Sequence, residues 1–125
     1  MPKIRISTAD ASFEAEVYDT PTGEAMLAAL PIESVANTWG DEIYFQAGFQ
    51  ASLEPGAVAE VQVGELAYWP SMPAFCIFFG PTPVSPGHQP VAASAVNVFG
   101  KLTVTDPDIL RSVRNGESIK VELIA

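Results

Sequence analysis

The chain has 125 residues, 48% of them apolar, with 15 acidic and 6 basic side chains and a formal net charge of −9. No Lys or Arg stands between Ile6 and Gly100, so there is no basic patch to displace phosphate counterions, and neither nucleic acid nor an anionic membrane surface is expected as a partner. The composition is too apolar for a disordered chain, and the longest apolar runs, residues 25–30 and 74–79, fall far short of a membrane span.

In chain order, Ile4 and Ile6 alternate with Lys3, Arg5 and Ser7, and Phe13, Ala15 and Val17 alternate with Glu14, Glu16 and Tyr18. This period of two is that of half-buried strands, with residues 9–12 turning them into a hairpin. Thr20 followed by Pro21 is a hydroxyl cap with proline at the first helical position. Met26, Leu27 and Leu30 share one face of the helix that follows, and Pro31 stops it. Strands are then expected over residues 32–39, 42–45, 59–63, 67–69, 74–79 and 96–105, most of them separated by Gly or Pro turns.

Residues 81–90, PTPVSPGHQP, hold four prolines and a glycine and are expected as an irregular loop and a candidate pocket rim. Asp106-Pro107 repeats the cap signature for a second helix, with Ile109, Leu110 and Val113 inward, Arg111 and Arg114 in its last turn, and Asn115-Gly116 ending it. Ile119, Val121 and Leu123 alternate as a final strand. With no internal repeat and no linker, residues 1–125 are expected to form a single, mainly β domain, a closed or nearly closed sheet with helices over its open ends. MPKIRISTAD has no apolar stretch behind its charges, so no secretory signal is expected and the cytoplasm is the expected compartment.

Three segments carry a family resemblance: PTGEAMLAALPIESVANTWGDEIYF, VGELAYWPSMPAFCIFFGPTP, and NVFGKLT followed by DPDILRSVRNGESIKVELI. Together they resemble the small bacterial and archaeal cyclophilin-like proteins over nearly the whole chain. The resemblance implies a closed eight-stranded cyclophilin-type barrel capped by two short α-helices. At Met72 and Pro73, after AYWPS, the chain departs from the glycine usual at the first of these places.

The resemblance also invites a peptidyl-prolyl isomerase function, the leading enzymatic alternative. In cyclophilins an arginine guanidinium beside the prolyl nitrogen weakens amide conjugation and so lowers a barrier otherwise about 18–20 kcal/mol. That arginine sits on the strand after the first helix. Here the segment is IESVANTW, which offers Glu33, Ser34 and Asn37 and no cation. Lys101 is the next basic residue in the chain, and a flexible ammonium does not replace a planar fork.

Nine of the twelve aromatic residues lie from Trp39 to Phe79. Most must fill the interior, Phe13, Phe45, Phe78 and Phe99 among them. Tyr44, Tyr68 and Trp69 carry polar edges near turns and suit a pocket wall. Glu42 and Glu65 stand beside these segments, where a carboxylate suits a ligand cation or hydroxyl, or proton transfer once burial separates the two pKa values. As strand-end acids on an acidic surface they would simply be solvated.

His88, the only histidine, lacks companions at metal-ligand spacing, so no metal is expected, and with no phosphate-cradling glycine loop no cofactor is expected either. No serine lies in a G-x-S-x-G elbow. Cys76, alone among apolar neighbours, reads as a buried thiol packed as a small hydrophobe. The expected function is therefore non-catalytic binding of a small uncharged or cationic molecule, or an apolar peptide segment, in an aromatic groove of Trp39, Tyr44, Tyr68, Trp69 and Phe75 with Glu42 and Glu65 nearby. Long apolar stretches such as AFCIFFG leave room for a homo-oligomer.

Overall fold

A computed structural model describes residues 1–124. The N-terminal hairpin forms as its alternation requires: β1 (Lys3–Ser7) pairs with β2 (Ser12–Val17), placing Ile4 opposite Ala15 and Ile6 opposite Phe13 on the inner face. Helix α1 (Pro21–Ala28) is capped by Thr20, whose hydroxyl accepts the Gly23 N–H at 3.0 Å, and it sends Met26 into the core. The chain continues as β3 (Ile32–Val35), β4 (Asn37–Thr38), β5 (Glu42–Gln46), β6 (Val58–Glu60), β7 (Glu65–Trp69), β8 (Ala74–Phe78) and β9 (Val91–Leu102). Helix α2 (Pro107–Arg111) and β10 (Ser118–Leu123) complete it.

Among the described residues the strands follow the order β3-β10-β1-β2-β9-β7-β8-β5-β4, with β6 paired to β9 off that path. Mainly β with two short helices is therefore correct, but hydrogen bonding does not close the sheet. The expected single strand over 32–39 divides at Ala36, whose N–H donates to the Glu117 carbonyl and whose carbonyl accepts from the Gly116 N–H. Its first part pairs with β10 and its last part with β5, so the two ends of the strand path are consecutive pieces of one segment with no ladder between them.

The second helix is also shorter than expected. Its Asp106 cap accepts the Asp108 and Ile109 N–H groups as the sequence predicts, but helical structure ends at Arg111 and Arg114 lies outside it. Leu110 and Val113 are buried whereas Ile109 is 45% exposed. After Ser112 the chain turns through Arg114, whose N–H donates to the Glu117 carboxylate at 2.8 Å.

Apolar side chains divide between two clusters. The larger gathers Ile4, Ile6, Phe13, Phe45, Tyr68, Phe75, Phe99 and Val121 from strands β1 to β10 inside the curled sheet. Phe75 stacks on Phe45 at 4.7 Å between ring centroids and meets the Phe99 ring edge-on at 5.1 Å. The smaller cluster, Val61, Ala67, Ala74, Cys76, Phe78, Ala92 and Val96, occupies the outer face of β7 and β8.

The twelve-residue β9 makes this second layer. Its C-terminal half pairs with β7 and β2, while its N-terminal half pairs with β6. At the hand-over the β7 register skips Phe99, a bulge. Gly100 then lies so close to β2 that a Cβ there would stand 2.6 Å from the Glu16 carbonyl oxygen. Because both faces of β8 are covered within one chain, AFCIFFG leaves no bare apolar strip.

Candidate functional site

Strand alternation builds the site. On β5, Ile43 and Phe45 point inward, which turns Glu42 and Tyr44 outward; on β8, Phe75 and Ile77 point inward, which turns Cys76 and Phe78 outward. On β7, Leu66 and Tyr68 are interior and Trp69 is outside. The register sets Glu42 opposite Phe78 and Tyr44 opposite Cys76, so Glu42 and Cys76 are diagonal neighbours on adjacent strands. These outward residues and Trp39 line a cavity of about 210 Å³, whose remaining wall is Ala92, Ala93 and Val96 of β9.

The turn before β5 is firmly held. The Trp39 N–H donates to the Glu42 carbonyl at 3.0 Å across Gly40, whose φ of 60° lies in the left-handed region that glycine enters without strain. Asp41 then ties the turn to both neighbours. Its N–H donates to Pro81, its carbonyl accepts from Phe79, and its carboxylate receives a two-pronged bond from Arg111 at 3.1 and 2.8 Å. On the opposite wall the Trp69 indole N–H donates to the Ser94 hydroxyl at 2.6 Å, fixing the ring between β7 and β9.

Glu42 is only 6% exposed although it is ionisable. Burial pushes its carboxyl from 4.5 up to about 7, against the smaller opposing effect of a hydrogen bond with the Cys76 thiol. The thiol itself is held well above its ordinary value, first by burial and then by Glu42, so it stays protonated and is not a nucleophile. The arrangement offers one acid poised near neutrality, set among aromatic walls, in a cavity no Lys, Arg or His lines.

Four of the seven expected site residues, Trp39, Glu42, Tyr44 and Trp69, meet in this cavity. Three do not. Tyr68 is interior, its ring stacked on Phe49 at 5.0 Å, while its hydroxyl accepts the Ala51 N–H at 3.0 Å and donates to the Phe49 carbonyl at 3.3 Å. Phe75 is fully buried between Phe45 and Phe99. Adjacent strand residues face opposite ways, so Tyr68 cannot share a wall with Trp69, nor Phe75 with Cys76.

Glu65 lies outside the cavity and accepts the Gln62 N–H at 2.7 Å. With β8 between their strands, Glu42 and Glu65 are separated by two strand spacings, about 9–10 Å, too far to share a proton directly. Cys76 and Phe78 are buried and packed as expected; that they also line the cavity, with the β9 wall, was not anticipated, although their outward phase was the available signal. The loop 81–90 is irregular as expected with His88 exposed, but it contributes no lining residue.

A family model described as cyclophilin-like matches residues 2–122. The chain belongs to the cyclophilin-like family. This cyclophilin-like chain is similar to a hypothetical protein from Archaeoglobus fulgidus, known from a solution structure, with 40% identity, a TM-score of 0.83, and coverage of 98% of this chain and 95% of that one. It also shares its fold with McbB, whose structure was determined in complex with tryptophan, at a TM-score of 0.70 and 13% identity over 95% of this chain and 44% of that chain. No curated protein matches it. Among the described residues no helix is long and apolar enough to cross a membrane.

Proposed function

We infer that the cavity on the outer face of β5, β7 and β8 binds a small molecule without transforming it. The observation that carries this reading is the convergence of one buried carboxylate, Glu42, with the polar-edged rings of Trp39, Tyr44 and Trp69 around an otherwise apolar space. A few polar groups in an aromatic pocket are the usual means of orienting a small ligand. At about 210 Å³ the cavity lies below the range of about 300–1,000 Å³ typical of drug-sized ligand sites, which favours a compact molecule over a peptide segment.

The isomerase alternative has less support. Its chemistry calls for a guanidinium beside the prolyl nitrogen, and the cavity has no cation in its lining. In IESVANTW, Asn37 uses its amide on the Tyr44 carbonyl at 3.3 Å. Two experiments test the reading. In an NMR screen of small soluble molecules, hits are expected to shift the indole N–H signals of Trp39 and Trp69, the protein's two tryptophans, and Trp69→Ala is expected to weaken those hits about tenfold or more; hits clustering on another face would sink it. No acceleration of cis/trans exchange in Xaa-Pro peptides is expected, and an acceleration abolished by Trp69→Ala would replace binding with catalysis.

A further inference from the structure

The cavity's polarity is one-sided. Glu42 carries its one carboxyl group; no Lys, Arg or His side chain lines the cavity beside it, and the neighbouring Cys76 thiol is only a weak donor. Arg111, which reaches the turn before β5, is engaged there by the Asp41 carboxylate on both prongs. An ionised carboxylate held this way lacks a countercharge, and a buried charge is tolerated when it is paired. Around it stand Trp39, Tyr44, Trp69 and Phe78, whose ring faces carry the negative side of the aromatic quadrupole. Carboxylate and rings thus favour the same kind of ligand, and both disfavour an anion.

Resting on the small-molecule reading above, we propose that the ligand is a small organic ammonium, a primary alkyl- or arylammonium whose N–H groups donate to Glu42 while its hydrocarbon lies against Trp39, Tyr44 and Trp69. An ammonium supplies the countercharge that Glu42 lacks and gains from the ring faces. A neutral molecule of the same shape fills the space but gains neither. The net charge of −9 raises the local concentration of cations further. The other titratable side chains lining the cavity are Cys76 on β8 and Tyr44 on β5, and β7 and β9 contribute none.

Both tryptophans line the cavity, so their emission reports occupancy without a label. The test titrates the protein with benzylammonium, benzyl alcohol and benzoate at about pH 8, above the Glu42 value of about 7, at fixed ionic strength. Benzylammonium is expected to bind about tenfold tighter than benzyl alcohol, and benzoate weakest. Glu42→Gln is expected to reduce the cation-to-alcohol ratio several-fold, leaving the part due to the ring faces.

In the wild-type protein the ratio is expected to shrink at about pH 5.5, where Glu42 holds its proton, an arm that requires no variant. Benzyl alcohol binding as tightly as benzylammonium at the higher pH, or a ratio unmoved by both Glu42→Gln and acid, would overturn the ammonium assignment while leaving the pocket reading intact. Silence of the tryptophans toward all three probes at millimolar concentration would defeat the pocket reading itself.

Discussion

Glu42 turns a strand-end acid into the group on which local energetics depend. Its pKa rises from 4.5 to about 7 on folding, with burial the main cause. Below about pH 4.5 the carboxyl is protonated in both states and its stabilising contribution is fully present. Between about pH 4.5 and 7 the unfolded chain releases a proton that the native protein retains, so stability falls as pH rises; above about 7 the native group ionises too and the loss levels off. Over that window the wild-type protein is expected to lose on the order of 3 kcal/mol relative to Glu42→Gln, measured by urea denaturation of both proteins from pH 4 to 8.5. A difference between them that does not change with pH would show the carboxyl to be solvated. Sequence placed Glu42 beside aromatic residues but did not reveal its burial. That depends on the β5–β8 register and on cover from β9, contacts between residues far apart in the chain. Tyr68 and Phe75 show the converse: their inward phase follows from the neighbouring residues alone, yet the aromatic polar edge of Tyr68 outweighed it in the sequence reading.

Among the elements, those with strong local signals were legible and those held by partners were not. Thr20-Pro21 and Asp106-Pro107 mark both helix starts, and alternation marks β1, β2 and β10, because caps and a period of two act within a few residues. β9 was expected to begin at Val96 and begins at Val91. Its first residues, VAASA, are mostly small and have weak strand preference, and pairing with β6 holds them instead. The second helix was overread because Asn115-Gly116 resembles a helix stop, whereas the chain leaves the helix at Ser112. The point where β9 meets β2 gives the test at this scale. Gly100→Ala places a methyl against the Glu16 carbonyl, and the backbone must separate there; a loss of about 1–3 kcal/mol is expected, read from the urea midpoint. An unchanged midpoint would mean that the approach of β9 to β2 is looser than described.

For the molecule as a whole, the two apolar clusters share their strands. Leu66 and Tyr68 of β7 and Phe75 and Ile77 of β8 belong to the interior, while Ala67, Cys76 and Phe78 on the same strands belong to the outer cluster. Neither layer is expected to melt without the other. Tryptophan emission reports the outer layer, far-ultraviolet circular dichroism reports the sheet, and their urea transitions are expected to coincide. An earlier emission midpoint would mean that the β6–β9 cover opens by itself. The overall order of strands and helices, together with the family, was legible because the quoted motifs span nearly the whole chain; the open path between β3 and β4 was not, because it depends on the backbone bonds of a single alanine. The construction of β9 also separates two kinds of change. Its C-terminal half is bound into the wall by β2 and β7, whereas at its other end the buried Ala92 lines the cavity with a side chain no larger than a methyl group. Exchanging that methyl for a larger side chain would reshape the cavity while leaving the β2 and β7 ladders in place. Descendants of this chain thus have a route to a differently shaped cavity that does not pass through loss of the fold.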